Sequence, residues 1–140
     1  MNYKNVTIMT PNKKEASEGI KMNINNEEQL FKAGDLILNK LNLEGLLITR
    51  SEEGMSLFKK GNIFNIPTEA TDVYDVTGAG DTVVSVLALC LSLGSDFKQA
   101  AILSNLAASE TVKELGSYAI TKEKLLQLLK NYKGKAINKI

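Results

Sequence analysis

The feature that most restricts the fold is the string Asp75-Val76-Thr77-Gly78-Ala79-Gly80-Asp81-Thr82, which sets a turn of small residues directly before an almost wholly apolar run at 79–93. A run of that length predicts a helix buried on nearly all sides, and such a helix needs other layers to cover it. The preceding sequence supplies them. Val6-Thr7-Ile8-Met9-Thr10 is a short β-rich run stopped by Pro11, and Asn12-Lys13-Lys14-Glu15 has the form of a helix N-cap with an acid three residues on. Residues 27–41 place Leu30, Phe31, Gly34, Ile37, Leu38 and Leu41 at helical spacing, and Gly45-Leu46-Leu47-Ile48-Thr49 is a continuous apolar strand of the buried parallel kind.

Residues 54–59 and 63–66 read as a hairpin about Lys60-Gly61-Asn62, ended by Pro67. Two more helices are expected after the apolar one, at 97–115 and 122–132, with Gly94 and Gly116 as stops. The tail from 133 to 140 has too little pattern to fold by itself, and no internal repeat is present. Strands and helices in this order predict one three-layer α/β domain, with the Gly78-Ala79-Gly80 turn beside the carboxyl ends of parallel strands, where open α/β sheets bind ligands.

Composition narrows the chemistry. With 44% apolar residues among 140, a real core is affordable, and 17 basic against 16 acidic residues leave no footprint for nucleic acid or a membrane surface. The chain has no histidine, which removes the Ser-His-Asp and Cys-His schemes and His-rich zinc sites. Cys90, the only cysteine, cannot form an internal disulfide and reads as a core residue in a reducing cytoplasm. Met1-Asn2-Tyr3-Lys4-Asn5 lacks the apolar region of a signal peptide, and there is no apolar stretch of ~18 residues. Neither export nor membrane insertion is expected.

Gly78-Ala79-Gly80 lets another group approach the main chain closely, and the free N–H groups of the helix's first turn, at the positive end of its dipole, suit phosphate oxygens. Asp81, in the same turn, lies where its carboxylate could take a proton from a hydroxyl attacking that phosphoryl group. Phosphoryl transfer through a loose transition state asks little of its base, so position matters more than basicity. The plain alternative is tight helix packing with Asp81 as an N-terminal helix charge.

The whole string resembles the C-terminal signature of the PfkB, or ribokinase, family of carbohydrate kinases. The resemblance implies that Asp81 is the catalytic base and that Gly78, Ala79 and Gly80 form the anion hole. Three other stretches resemble the family in the same order, from Tyr3 to about Leu129. Asn12 and Glu15 match its Asn-x-x-Glu segment, which places Mg2+ and the nucleotide phosphates, often through water; as residues alone they are equally an ordinary cap. Ile48-Thr49-Arg50-Ser51-Glu52-Glu53-Gly54 looks like the Thr-x-Gly-x-x-Gly turn that contacts the nucleotide. Thr49 and Gly54 match, and Ser51 stands where many members carry glycine, so either the backbone shifts or the turn differs. Asn105 and Ala108 match the Asn-x-Ala-Ala helix that walls the adenine pocket, or are packing contacts, and Leu115-Gly116-Ser117 would close that pocket. Asp75 and Thr77 correspond to positions that bind an activating monovalent cation such as K+ in some members.

The implied chain is the C-terminal nucleotide-binding half (1–140) of a ribokinase-like domain, without the lid and the N-terminal half that hold the sugar. Residues 49–55, 75–83 and 112–116 most resemble the heptose-7-phosphate 1-kinases of ADP-heptose synthesis. ATP and a sugar phosphate are the implied substrates, with the missing half or a second copy, as in a homodimer, as partner. The alternatives are a non-catalytic nucleotide-binding or oligomerising module and another ribokinase-like small-molecule kinase.

Overall fold

The computed structural model describes residues 3–70, 73–116, 118–133 and 138–139. Its sheet has the order β1 (Ile8–Met9), β2 (Gly45–Thr49), β3 (Met55–Lys59), β4 (Asn62–Ile66) and β5 (Asn138–Lys139). Only β1 and β2 run parallel; the other neighbours are antiparallel. Five helices flank it: α1 (Lys13–Ile20), α2 (Glu27–Lys40), α3 (Ala79–Ser92), α4 (Phe97–Thr111) and α5 (Lys122–Asn131).

Two cores result from the strands' period of two. Leu46 and Ile48 of β2 and Phe58 of β3 face α1 and α2, where Leu30, Ala33 and Ile37 are buried. Leu47, Leu57 and Ile66 face α3 and α4, against Val83, Leu87 and Ala107. The expected three layers are therefore present, and β2 is apolar throughout because both its faces are covered. Gly34 is what lets α2 lie so close: a Cβ there would come within 2.2 Å of the buried Phe58 ring.

The tail, with too little pattern to fold by itself, finds a partner: Asn138 and Lys139 pair with Asn65 and Phe64 of β4, whose edge templates the pairing. Two expectations are corrected. The fourth helix ends at Thr111 rather than near 115, where Lys113 and Glu114 donate to Glu110 and Thr111 in tighter turns, so Gly116 stands beyond it. Gly94 does end α3, with Ser95 donating to the Cys90 carbonyl and Gly94 to that of Leu91. Finally, α3 is not covered all round: Val84, Leu89 and Leu93 are 48%, 56% and 77% exposed on one side. Cys90 is buried as expected, and burial raises its thiol pKa.

α5 buries no residue fully; Leu125 packs against the core, and Lys124 adds an ionic contact to α4. The largely buried Glu110 of α4 accepts from Lys124 at 2.6 Å and from Lys113 at 3.2 Å. Burial pushes the Glu110 carboxyl up, but hydrogen bonds from Lys124 and Lys113 and their charges more than offset it and hold the group below the usual carboxylate range. The same contact, through its hydrogen bond first and its charge second, raises Lys124. A lowered acid stabilises the fold above the ordinary value of ~4.3 and loses that contribution as pH falls through the folded one; a raised lysine does so below ~10.4 and loses it as pH rises further. Glu110→Gln is therefore expected to lower the melting temperature at pH 7 by roughly 2–8 °C and to flatten the loss of stability below pH ~4.3. An unchanged melting curve at both pH values would show that α5 is held by other means.

No helix among the described residues is long and apolar enough to cross a membrane.

Candidate functional site

The parallel pair positions the site. After β1, Thr49 donates its N–H to the Pro11 carbonyl at 3.1 Å and Asn12 bridges to Thr49, so the ends of β1 and β2 bring those two residues side by side. Asn12 then caps α1: Glu15 N–H donates to Asn12 Oδ1 and Asn12 N–H to Glu15 Oε2, both at 2.8 Å. The Asn-Glu variant of the capping box is thus real.

These residues open onto a cavity of about 550 Å3 that also collects the Ser51–Glu53 turn, the start of α3 and the middle of α4. Asn12, Glu15, Thr49, Ser51 and Gly54 line one side; Ala79, Gly80, Asp81, Asn105 and Ala108 line the other. Segments far apart in sequence meet here as expected from the motifs. Gly78, Asp75, Thr77 and Gly116 do not line the cavity, and Ser117 lies outside the described residues.

Gly78 acts as the N-cap of α3 with φ of 78°, in the left-handed region, and no side chain caps the helix. The Ala79 N–H turns back to the Val76 carbonyl at 3.2 Å. A helix supplies no acceptor for the next N–H groups, those of Gly80 and Asp81. A Cβ on Gly80 would meet no atom within 4 Å, so this stretch of backbone faces open space inside the cavity. Asp81 follows, exposed, in the first turn.

Asp75 has a different placement. Its Oδ1 accepts from the Thr77 N–H at 2.9 Å and its Oδ2 from the Gly116 N–H at 3.0 Å. Hydrogen bonds from the Thr77 side chain, then its backbone, then Gly116 hold the carboxyl below its usual value. Asp75 therefore clasps the segment before Gly78 to the segment after α4, and Gly116 serves that clasp. Asn105 is also partly committed, since its Nδ2 donates to the Pro67 carbonyl at 2.8 Å and steadies the exit of β4.

In the Thr49–Gly54 turn, Ser51 holds a left-handed φ of 52° without being glycine, a conformation that costs an L-residue roughly 1–2 kcal/mol. Motif reading missed the neighbouring Arg50, whose side chain is only 7% exposed and reaches Glu27, Glu53, Ser56 and Asn65. Those partners lie up to 23 residues away, and no local pattern announces them.

For a divalent cation, the donors available are hard oxygens: Asn12 and Glu15, each with one oxygen already in the cap, and Glu52 nearby. No cluster of three or more His, Cys, Asp or Glu able to hold a metal occurs among the described residues. That set suits Mg2+, which retains several waters and leans on phosphate oxygens.

The pattern described as pfkB family carbohydrate kinase matches residues 2–124. The chain is 51% identical over 120 residues to the bifunctional protein HldE of Geotalea uraniireducens and 44% identical over 123 residues to that of Nitratiruptor sp.. These matches take in 85% and 88% of the chain but 24% and 26% of the relatives, so it spans about a quarter of their length. Arabidopsis thaliana ribokinase, solved with ribose and ATP, superposes with a TM-score of 0.83 at 27% identity, over 91% of this chain and 42% of that one. Escherichia coli phosphofructokinase-2, solved with potassium, shares the fold with a TM-score of 0.82 at 18% identity, over 89% and 40%. With residues 2–124 matched by the family pattern and half of 120 aligned residues shared with a relative, the chain belongs to the pfkB family of carbohydrate kinases.

Proposed function

We propose that this chain supplies the ATP site, the anion hole and the catalytic base of a pfkB kinase that phosphorylates a sugar phosphate, with heptose 7-phosphate as the substrate and its 1-hydroxyl as the acceptor. The observation that carries the reading is the cavity that joins Gly80 and Asp81 to Asn12, Glu15, the Ser51–Gly54 turn and Asn105. The heptose assignment rests on the likeness of residues 49–55, 75–83 and 112–116 to heptose-7-phosphate 1-kinases.

In this reading Thr49, the 51–54 turn and Ala108 receive the nucleotide, and the Gly80 and Asp81 N–H groups receive phosphoryl oxygens at the positive end of α3. The acceptor oxygen attacks the γ-phosphorus as the bond to the ADP oxygen breaks, and the acceptor's proton passes to the Asp81 carboxylate. Asn12 and Glu15 would hold a hydrated Mg2+, which would neutralise phosphate charge when bound. Asp75 and Thr77 fix the segment before Gly78, beside which a monovalent cation would sit.

Gly80 gives a clean test. Gly80→Ala adds a methyl that meets no protein atom and improves helix propensity by ~0.5–1 kcal/mol, so the melting temperature should hold or rise. The same methyl would enter the space that this reading gives to phosphate, and overpacking of ~1–3 kcal/mol should weaken ATP binding roughly 5- to 150-fold. Calorimetric titration with ATP and Mg2+ reads this directly. Equal affinity in both proteins would remove the Gly80 backbone from the phosphate site.

A second reading is supported by the exposed Val84, Leu89 and Leu93 along α3 and at its end. In that reading the 140 residues bind nucleotide without turnover, and these apolar side chains are covered by the complementary part of a kinase or by a second copy. Phosphate transfer to heptose 7-phosphate by a chimera that carries this chain in place of the matching segment of the Geotalea uraniireducens relative separates the two readings.

A further inference from the structure

The turn that contributes Ser51, Glu52 and Gly54 to the cavity is short, and its shape depends on a residue that does not line it. Ser51 holds a positive φ that glycine would adopt freely and serine does not. Such conformations persist where the surroundings over-determine them. Three backbone hydrogen bonds close the turn: Arg50 N–H to the Gly54 carbonyl at 2.8 Å, and Glu53 and Gly54 N–H to the Arg50 and Ser51 carbonyls, both at 3.1 Å. These bonds close the turn on itself, and Gly54 adds close packing against the main chain leaving β4.

The side chain of Arg50 makes the connection to the domain. Its Nε and Nη2 donate to Glu53 within the turn, at 3.3 and 3.2 Å, and Nη2 also reaches Glu27 at the start of α2, at 3.5 Å. Nη1 donates to Ser56 of β3 at 3.1 Å and Asn65 of β4 at 3.4 Å. One planar guanidinium thus fastens the turn to a helix and two strands, a geometry that lysine's single ammonium does not reproduce.

We propose that Arg50 is a positioning residue for the nucleotide, and that its buried guanidinium holds the Ser51–Gly54 turn in binding shape in place of a glycine at position 51. The inference rests on the cavity being the ATP site. Arg50→Gln isolates the effect. Ser56 and Asn65 still satisfy each other through their 2.7 Å hydrogen bond, and both glutamates keep half or more of their side-chain surface in water, so no buried charge is left unpaired.

The test is a calorimetric titration of the 140-residue chain with ATP and Mg2+, made on the unsubstituted protein, Arg50→Gln, Arg50→Lys and Arg50→Gln with Ser51→Gly, with melting temperatures alongside. Arg50→Gln should raise the dissociation constant roughly tenfold, equivalent to about 1.4 kcal/mol, and Arg50→Lys should fall near it. Adding Ser51→Gly should restore most of the affinity without restoring the melting temperature, because glycine adopts the turn unaided yet cannot replace the lost contacts. Wild-type affinity in Arg50→Gln, or a double variant no better than the single, overturns the proposal. No ATP binding by the unsubstituted chain overturns it together with the nucleotide site itself.

Discussion

Asp81→Asn, made in a chimera that carries this chain in place of the matching segment of the Geotalea uraniireducens relative, is expected to slow ADP release by ~10²–10⁴-fold while leaving ATP affinity close to that of the parent chimera. Asparagine keeps the size of aspartate and can still hydrogen-bond the acceptor hydroxyl, but it does not accept the proton. In the proposed site the phosphates depend on backbone N–H groups in the first turn of α3, which the substitution leaves in place. Folding should change little, since the lost interaction with the helix dipole is worth ~0.3–1 kcal/mol at an exposed site. ATP calorimetry and ADP release have to be read together. Near-normal turnover would take Asp81 out of the chemistry, and a parallel collapse of binding would give it a structural role.

The largest expected loss of stability comes from Gly54→Ala. Gly54 has φ of 85° and ψ of −128°, a combination essentially reserved for glycine, with a cost of order 1–3 kcal/mol for other residues. The added Cβ would lie 2.1 Å from the Ile66 carbonyl oxygen, 2.6 Å from the Thr68 nitrogen and 2.7 Å from the Pro67 carbonyl carbon. All three are main-chain atoms at the end of β4, so no side chain can swing away to make room. Strain and overpacking together should exceed ~3 kcal/mol, a large part of the ~5–15 kcal/mol available to a domain. Urea unfolding followed by circular dichroism measures it. A loss below ~1 kcal/mol would mean that β4 can shift away from the turn.

Gly54 also shows how far sequence reading reaches. The motif marks the position as glycine for the sake of a ligand, whereas the structure adds a contact with the chain leaving β4, set by a strand pairing that only the folded sheet reveals. The helices and the hairpin were legible because periodicity, caps and turn residues are local. The starts of α1 and α3 were legible for the same reason, as was the meeting of Asn12, Thr49, Asp81 and Asn105 around one cavity once the family signature was seen. Arg50 was not, because its partners sit on three other elements. Leu89 and Leu93 misled in the opposite sense: an apolar residue in a helix says that it wants cover, not that these 140 residues provide it. Asn105 looked like a ligand contact, but one of its amide hydrogens is engaged by Pro67.

The reciprocal hydrogen bonds of Asn12 and Glu15 bear on how readily a ligand is held. An unrestrained glutamate side chain loses about 1.5–2 kcal/mol of rotamer entropy when it is fixed in one conformation. Here that loss has already occurred in forming the first turn of α1, so a ligand that takes the Glu15 oxygens where they stand meets a preorganised carboxylate and adds no ordering penalty of its own. The same arrangement sets a limit. Any ligand that needs Glu15 in a different rotamer must first break its bond to the Asn12 N–H, and the site thereby favours partners that accept its oxygens where folding has put them.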